Sequence, residues 1–433
     1  MHMTYDIIIA GAGAAGMMAA ISAGRLLESG KIVILEKEKR PGRKLLATGN
    51  GRCNLTNINA DPDDYFGDEP RFARGPLHRF STAAVLSFFS ELGLKTRVDD
   101  QGRVYPWCNQ SAAVLDVLRL ELHRLGIEII TEQGVTSVDQ VGSLFIGDKP
   151  LNREPEFEVK TANGKIYRAR KVIMATGGLA APALGADSSG LEIAEKLGHD
   201  LRKTMPALVP LELDSHISKK LSGIRFEAVA SILQNESEVM RARGEFLWTD
   251  YGVSGIAAME VSRAVSAYDG SSTILLDLLP DMSNEEIVSW IKTRIAQHPD
   301  LIVDSLLTGL FQRRMGEELI KHSISNSVIP TLEAVRLKTE HIVKIADCLK
   351  SLKIKVIGTR SWDQAQITVG GLDVRNFRPD SMQSRICEGL FAAGEVLDID
   401  GPCGGFNLQW AWSSGWLAGF KAAGDLLKQE VSG

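Results

Sequence analysis

The stretch 4-TYDIIIAGAGAAGMMAAISAGRLLESG-30 reads as a strand, a tight turn and a helix. The strand is the apolar run Ile7-Ile8-Ile9-Ala10, and the turn is Gly11-Ala12-Gly13-Ala14-Ala15-Gly16, a full GxGxxG. Each glycine has its own reason. Gly11 permits the tight turn, Gly13 lets the backbone approach a pyrophosphate, and Gly16 lets the helix pack on the strand. The helix start at Ala14 and Ala15 points unpaired N–H groups and a positive dipole end at the same place. A second strand, 31-KIVILEK-37, follows, and Glu36 ends it 20 residues after Gly16. An acid at that offset accepts hydrogen bonds from an adenosine ribose, and it argues against a 2′-phosphate there. Lys37, beside it, joins the nucleotide-binding candidates. The fold class expected is α/β, with a Rossmann-like dinucleotide-binding domain.

Two later segments favour FAD over NAD. The first, 171-KVIMATGG-178, is a buried strand ending in the small residues Ala175, Thr176 and Gly177. The second, 389-GLFAAGEVLDIDGPCGGFNLQWAWSSGWLAGFKAAGDLL-427, reads as a strand, a loop with Gly394-Glu395 and Asp398, then a long helix. Small residues recur down that helix at Ala411, Ser414, Gly415, Ala418, Gly419 and Ala422, which allows very close packing on a neighbour. A helix start at Gly404–Asn407 would aim N–H groups at an electron-rich ligand. The stretch 47-ATGNGRCNLTN-57 is rich in glycine and amides and reads as a loop wrapping something flat and polar.

The bulk composition fits this reading. The chain has 433 residues, enough for two or three domains, with 44% hydrophobic and 24% charged residues and a net charge of −5. That charge gives no reason to expect nucleic acid or an anionic membrane surface, and an RNA-modifying role is disfavoured for the same reason. No run reaches the length of a membrane-spanning helix, and the N-terminus reads as a cytoplasmic start. The five cysteines, at 53, 108, 348, 387 and 403, form no CxxC and no Cys/His cluster, so no metal site is expected. The sequence leaves the oligomeric state open.

Together, 42-GRKLLATGNGRCNLTN-57, 103-RVYP-106, 244-GEFLWTDYGVSG-255 and 400-DGPCGGFNLQWAWSSG-415 make the chain resemble a bacterial FAD-binding family. It is the family of aminoacetone oxidase-like and 3-dehydro-bile-acid reductase-like flavoproteins, a branch of the two-dinucleotide-domain type. The resemblance runs over nearly the whole chain. It implies that Arg43-Lys44 and the loop holding Asn50, Gly51, Cys53 and Asn54 lie along the pyrophosphate and under the isoalloxazine ring. It implies that Val135 meets the adenine through its backbone, and that Gly394, Glu395 and Asp398 hold the pyrophosphate and ribityl chain. Asn407 and Leu408, after Gly404, would offer N–H groups to the flavin's pyrimidine edge. The chain departs from the family at Asp250, where histidine is common, at Cys403, often threonine, and at Ala180-Ala181. All three border the expected substrate side and weaken any transfer of substrate identity.

The flavin domain is expected over 1–198 and 360–433. A β-rich subdomain is expected over 199–280 and a helical one over 281–359. The helix 283-SNEEIVSWIKTRIAQH-298 opens with Ser283 and Glu286 in capping-box spacing. Residues 305–322 and 331–352 continue at helical spacing. The insert could be a lid or a purely structural subdomain. No second GxGxxG follows a strand, so NAD(P)H either visits transiently or the substrate reduces the flavin and oxygen reoxidises it. Reduction of a small molecule's conjugated C=C bond with NAD(P)H is the leading expectation. An amine or aminoketone oxidase is the first alternative, and a flavin-binding regulatory or scaffold protein the second. No catalytic residue is assigned. Cys53 and Cys403 are conceivable redox groups, and Asp250 and Tyr251 are weak proton-transfer candidates.

Overall fold

A computed structural model of the chain describes residues 3–28, 30–141, 145–146, 149–150, 156–324 and 331–432. The chain divides into two compact units, residues 1–205 with 367–433, and 206–366. In chain order the first unit contributes β1 (Met3–Ala10), α1 (Ala14–Leu26), β2 (Ile32–Leu35), α2 (Arg43–Gly51), β3 (Thr56–Asn57), α3 (Arg74–Arg79) and α4 (Thr82–Glu91). It continues with β4 (Thr96–Val98), β5 (Arg103–Pro106), α5 (Ser111–Arg124), β6 (Glu128–Ile130), β7 (Val135–Val141), β8 (Phe145–Ile146) and β9 (Lys149–Pro150). Then come β10 (Glu156–Thr161), β11 (Ile166–Met174), α6 (Ser189–Lys196) and β12 (Leu201–Ala207). The second unit holds β13 (Leu211–Leu213), α7 (His216–Leu221), β14 (Arg225–Gln234), β15 (Ser237–Trp248), β16 (Gly252–Ser254), α8 (Ile256–Ser266) and β17 (Ser272–Asp277). Helices α9 (Asn284–Gln297), α10 (Arg313–Ile324) and α11 (Thr339–Lys350) precede β18 (Leu352–Thr359). The chain returns to the first unit with β19 (Ile367–Leu372), β20 (Leu390–Ala392) and α12 (Phe406–Ser432).

The first unit is built on a sheet ordered β6-β2-β1-β11-β10-β7, with β20 also paired to β11. Strands β6, β2, β1, β11 and β20 run parallel, while β10 and β7 are antiparallel additions. The parallel strands are apolar throughout, as a sheet covered on both faces demands: Ile7–Ile9, Val33–Ile34 and Val172–Met174 are fully buried. Ala10, Leu35, Met174 and Ala392 all lie at carboxyl ends of parallel strands, where a ligand crevice forms in folds of this type. Helix α12 lies along α1 at backbone distance. A Cβ on Gly415 would come within 2.4 Å of the Ala15 carbonyl oxygen, and one on Gly419 within 2.0 Å of that of Ala19. The small-residue stripe thus finds its neighbour in the nucleotide-binding helix.

Glu121 on α5 is pinned by Arg25 from α1 (2.7 Å) and by its own neighbour Arg124 (2.7 Å). The Arg124 hydrogen bond, aided by Arg25 and opposed by burial, holds its carboxyl down from 4.5 to about 2. A depressed carboxyl stabilises the fold above its unfolded value and stops doing so as pH falls through its folded one. The melting temperature of the protein is therefore expected to exceed that of Glu121→Gln at neutral pH. Thermal melts should show the gap closing between about pH 4.5 and about pH 2.

In the second unit, β13-β16-β15-β14-β17-β18 close into a barrel. The α9 start carries the expected capping box between Ser283 and Glu286. The helical spacing read over 331–352 resolves into a short 3-10 turn at Ala334–Arg336, helix α11, and the first residue of β18. That final strand follows three helices in sequence, yet pairs with β17 and β13 to close the barrel.

Candidate active site

The glycine-rich turn is a steric necessity. Gly11 has φ +102°, and a Cβ there would sit 2.5 Å from the Ala175 carbonyl oxygen. A Cβ on Gly16 would sit 2.0 Å from the Gly11 oxygen, so α1 could not approach its own turn. At Gly13 a Cβ would meet nothing within 4 Å. Gly13 is also the N-cap of α1 and provides no side-chain cap, which leaves the first-turn N–H groups for another acceptor.

Glu36 lies at the end of β2, only 8% exposed. One carboxylate oxygen accepts from Ala12 N–H (2.8 Å) and the other from Glu38 N–H (2.8 Å). It ties the glycine turn to the strand end, and each oxygen keeps a lone pair for a further donor. Around these residues runs a groove of about 840 Å³, open to solvent. Of the residues singled out from sequence, Gly11, Gly13, Glu36, Lys37, Arg43, Lys44, Val135, Ala175, Thr176 and Gly177 line it. Thr176 Oγ1 is buried there without a hydrogen-bond partner. Gly177, at φ +77°, would point a Cβ into open space. Lys37 and Arg43 on the rim are held by acids and a carbonyl. Lys37 pairs with Asp187, and Arg43 with Glu38 (2.6 Å) and the Ala183 carbonyl (2.7 Å).

Sequence reasoning missed the second wall. Gly185, Ala186 and Ser189 also line the groove, and Gly190 packs so tightly that a Cβ would overlap Thr176 Oγ1. The run Ser188-Ser189-Gly190 at the start of α6 is a helix-start pattern that could have revealed it.

Lys44 bridges to the C-terminal segment through Glu395 (2.6 Å). The other Glu395 oxygen accepts from Thr368 N–H (2.8 Å), and Thr368 Oγ1 accepts from Leu179 and Ala180 N–H. Gly394 donates its N–H to Ser414 Oγ (2.9 Å), and a Cβ on it would crowd the Ala15 side chain at 2.8 Å.

The stretch read as a loop over 47–57 starts as helix. Residues 43–47 are ordinary helix formers, so α2 runs into it before its backbone leaves helical geometry at Thr48, Gly49 and Asn50. Gly49, Asn50, Gly51 and Cys53 are all left-handed, at φ +57°, +55°, +81° and +59°. Two non-glycine residues in that region store strain of about 1 kcal/mol or more each, the kind kept at functional loops. Asn54 Oδ1 is buried without a partner. The loop exit rests on the start of α12: Thr56 Oγ1 donates to Gln409 (2.6 Å), and Trp412 Nε1 donates to the Leu55 carbonyl (2.9 Å).

At α12 the first intrahelical bond runs from Gln409 N–H to the Gly405 carbonyl (2.9 Å), so the N–H groups of Phe406, Asn407 and Leu408 precede it. The Asn407 side chain is committed to Gly401 and Pro402, bracing the loop before the helix. The Gly404 carbonyl accepts from Asn57 (3.0 Å). Asp398, 3% exposed, accepts from Asp68 N–H (2.9 Å) and does not line the groove.

Cys53 is fully buried, and burial pushes its thiol up to about 12, against a small opposing pull from Thr48. The reactive thiolate is thereby suppressed. Neither Cys53 nor Cys403 is in a disulfide. Cys53→Ala is expected to keep full turnover and flavin content, and iodoacetamide at about pH 8 should label Cys53 only after unfolding. Asp250 and Tyr251 line a cleft of the second unit, where the Arg360 guanidinium lies 4.6 Å over the Tyr251 ring and pairs with Glu212 (2.8 Å). His199 is packed between Ala194 and Ser384 and is held neutral-leaning by burial. Among the described residues no helix is long and apolar enough to cross a membrane, and no acid, histidine and cysteine cluster could hold a metal.

Comparison with known proteins places this architecture. A family model described as HI0933-like protein Rossmann domain matches residues 5–421. The 3-dehydro-bile acid delta(4,6)-reductase of Clostridium scindens is 36% identical over 418 residues, 96% of this chain and 98% of that protein. The ribosomal RNA dihydrouridine synthase of Escherichia coli is 30% identical over 95% of this chain and 96% of its own length. The protein of the same name from Haemophilus influenzae is 30% identical over 96% and 98%. The chain belongs to the HI0933-like family of Rossmann-fold, FAD-dependent oxidoreductases.

Proposed function

We propose that this protein reduces a C=C bond conjugated to a carbonyl in a small organic molecule, using NAD(P)H as the electron source. The carrying observation is the 36% identity, over 96% of the chain, to a reductase of unsaturated 3-oxo bile acids. FAD, when bound, supplies the two-electron chemistry that links a nicotinamide to such a bond. The residues present fit it. The open face at Gly13, the uncapped start of α1, and the lone Thr176 hydroxyl lie in one groove. In this reading Gly11–Gly16 and Lys44 take the pyrophosphate, Glu36 the adenosine ribose, and the Val135 backbone the adenine. Glu395 holds Lys44 against the groove rather than facing the phosphates, since two anions would repel. Asn50–Asn54 and the N–H groups of Asn407 and Leu408, which precede the first intrahelical bond of α12, take the ring. The start of α12, whose first intrahelical bond is donated by Gln409 N–H, favours negative charge beside it.

A second reading rests on the two dihydrouridine synthases. Uracil also carries a ring C=C bond conjugated to a carbonyl, so the same chemistry serves a base in RNA. Anaerobic incubations with NADH or NADPH, analysed by mass spectrometry, separate the two. A gain of two hydrogens in a 3-oxo-4,6-diene bile acid supports the first reading, and in uridine of RNA the second. No hydrogenated product from either substrate with either donor would sink both.

A further inference from the structure

The motif 103-RVYP-106 is not used by the flavin groove, and the structure gives it a surface. In the sheet β3-β5-β4, Arg97 stands directly opposite Tyr105, and Trp107 N–H bonds to the Lys95 carbonyl (2.8 Å). Residues 103, 105 and 107 alternate onto one face with 95 and 97 from the neighbouring strand. Trp107 is 67% exposed, although an indole is costly to leave in water. Arg52 lies over the Tyr105 ring at 5.1 Å. Lys95, Arg97 and Arg52 are exposed, and among the described residues none has a carboxylate within 4.0 Å. The hairpin acid Asp99 is already taken by Arg103 (2.7 Å). The face adjoins the candidate site, because a Cβ on Gly49 would lie 3.7 Å from the Tyr105 ring.

Lys95 and Arg97, and Arg52, whose Nε donates to the Gly49 carbonyl (3.2 Å) while its guanidinium has no carboxylate partner among the described residues, surround an exposed, flat aromatic and fit a strand that carries both phosphates and bases. We propose that this face docks single-stranded RNA. Trp107 stacks on a base, while Lys95, Arg97 and Arg52 meet phosphates and lead the strand toward the left-handed loop at Gly49–Cys53. The chain's acidic net charge conceals the patch, because its residues come from three separate stretches. The proposal rests on the second reading above.

The test is fluorescence anisotropy of the flavin-loaded protein with a labelled oligouridine RNA of about 12 nucleotides, at salt concentrations from roughly 50 to 200 mM. Binding should weaken steeply with salt. Trp107→Ala should weaken it about tenfold or more. Lys95→Gln and Arg97→Gln should each lower the salt slope by about 0.7. All three sites are on the surface, so flavin absorbance and melting temperature should not change. Absence of RNA binding at the lowest salt, or binding undiminished in all three variants, overturns the docking face. Binding lost in the variants without uridine reduction by the parent protein keeps the face and removes the second reading. Uridine reduction with binding unaffected by the variants keeps that reading and removes the face.

Discussion

Gly13→Val is expected to yield a protein that melts where the wild-type apoprotein melts but holds almost no flavin. The position has open space for a Cβ, and its φ of −83° suits any residue, so the fold loses nothing. The new side chain instead fills the place where a pyrophosphate would reach the backbone. Gly16→Val should differ. Its Cβ would lie 2.0 Å from the Gly11 oxygen and 3.4 Å from the Ala175 side chain, and backbone cannot swing aside as a side chain can. An overpacked site of this kind costs about 3 kcal/mol or more, so Gly16→Val should lose both flavin and stability. For Gly13→Val the expected drop in flavin affinity is on the order of a hundredfold, about 3 kcal/mol. Titration of apoprotein with FAD, paired with thermal melts, reads both quantities. Equal flavin affinity in Gly13→Val and wild type would remove the phosphate role from this turn.

The other large effect is expected at the contact between α1 and α12. Gly419→Val would drive a side chain into the Ala19 carbonyl, 2.0 Å from where its Cβ must stand. The first unit should lose about 3 kcal/mol or more, and its melting temperature roughly 6 °C or more. Five residues further on, Gly424→Ala meets only the Leu26 side chain at 3.9 Å, an ordinary contact. That change should be neutral or slightly stabilising, since alanine suits a helix better than glycine. If the two substitutions cost the same, close packing is not what the small residues provide.

These glycines also show what the sequence made legible. The turn at Gly11–Gly16 and the acid at Glu36 are local patterns, fixed by strand length and helix start, and the structure brings them together through the Ala12–Glu36 bond. The stripe on α12 announced a close neighbour but could not say which, because the partner lies almost 400 residues earlier in the chain. The left-handed residues Gly49, Asn50, Gly51 and Cys53 were readable only as an excess of glycine and asparagine, and the first turn of helix before them was missed. Barrel closure by β18 was hidden behind three helices. The lone Thr176 hydroxyl, the Lys44–Glu395 bridge and the Arg52–Tyr105 stack depend on long-range approach, and no spacing rule encodes them.

The most direct measurement is a single turnover without any nicotinamide. The purified protein, loaded with FAD, is bleached anaerobically with dithionite and mixed with a 3-oxo-4,6-diene bile acid. The expected result is return of the oxidised flavin spectrum in step with a product carrying two more hydrogens. A protein that takes up no FAD would contradict the site built on the glycine turn and the Gly49–Cys53 loop. A bleached protein that stays bleached with the steroid and with other conjugated carbonyl compounds, uracil included, but recolours in oxygen, would contradict a C=C reductase.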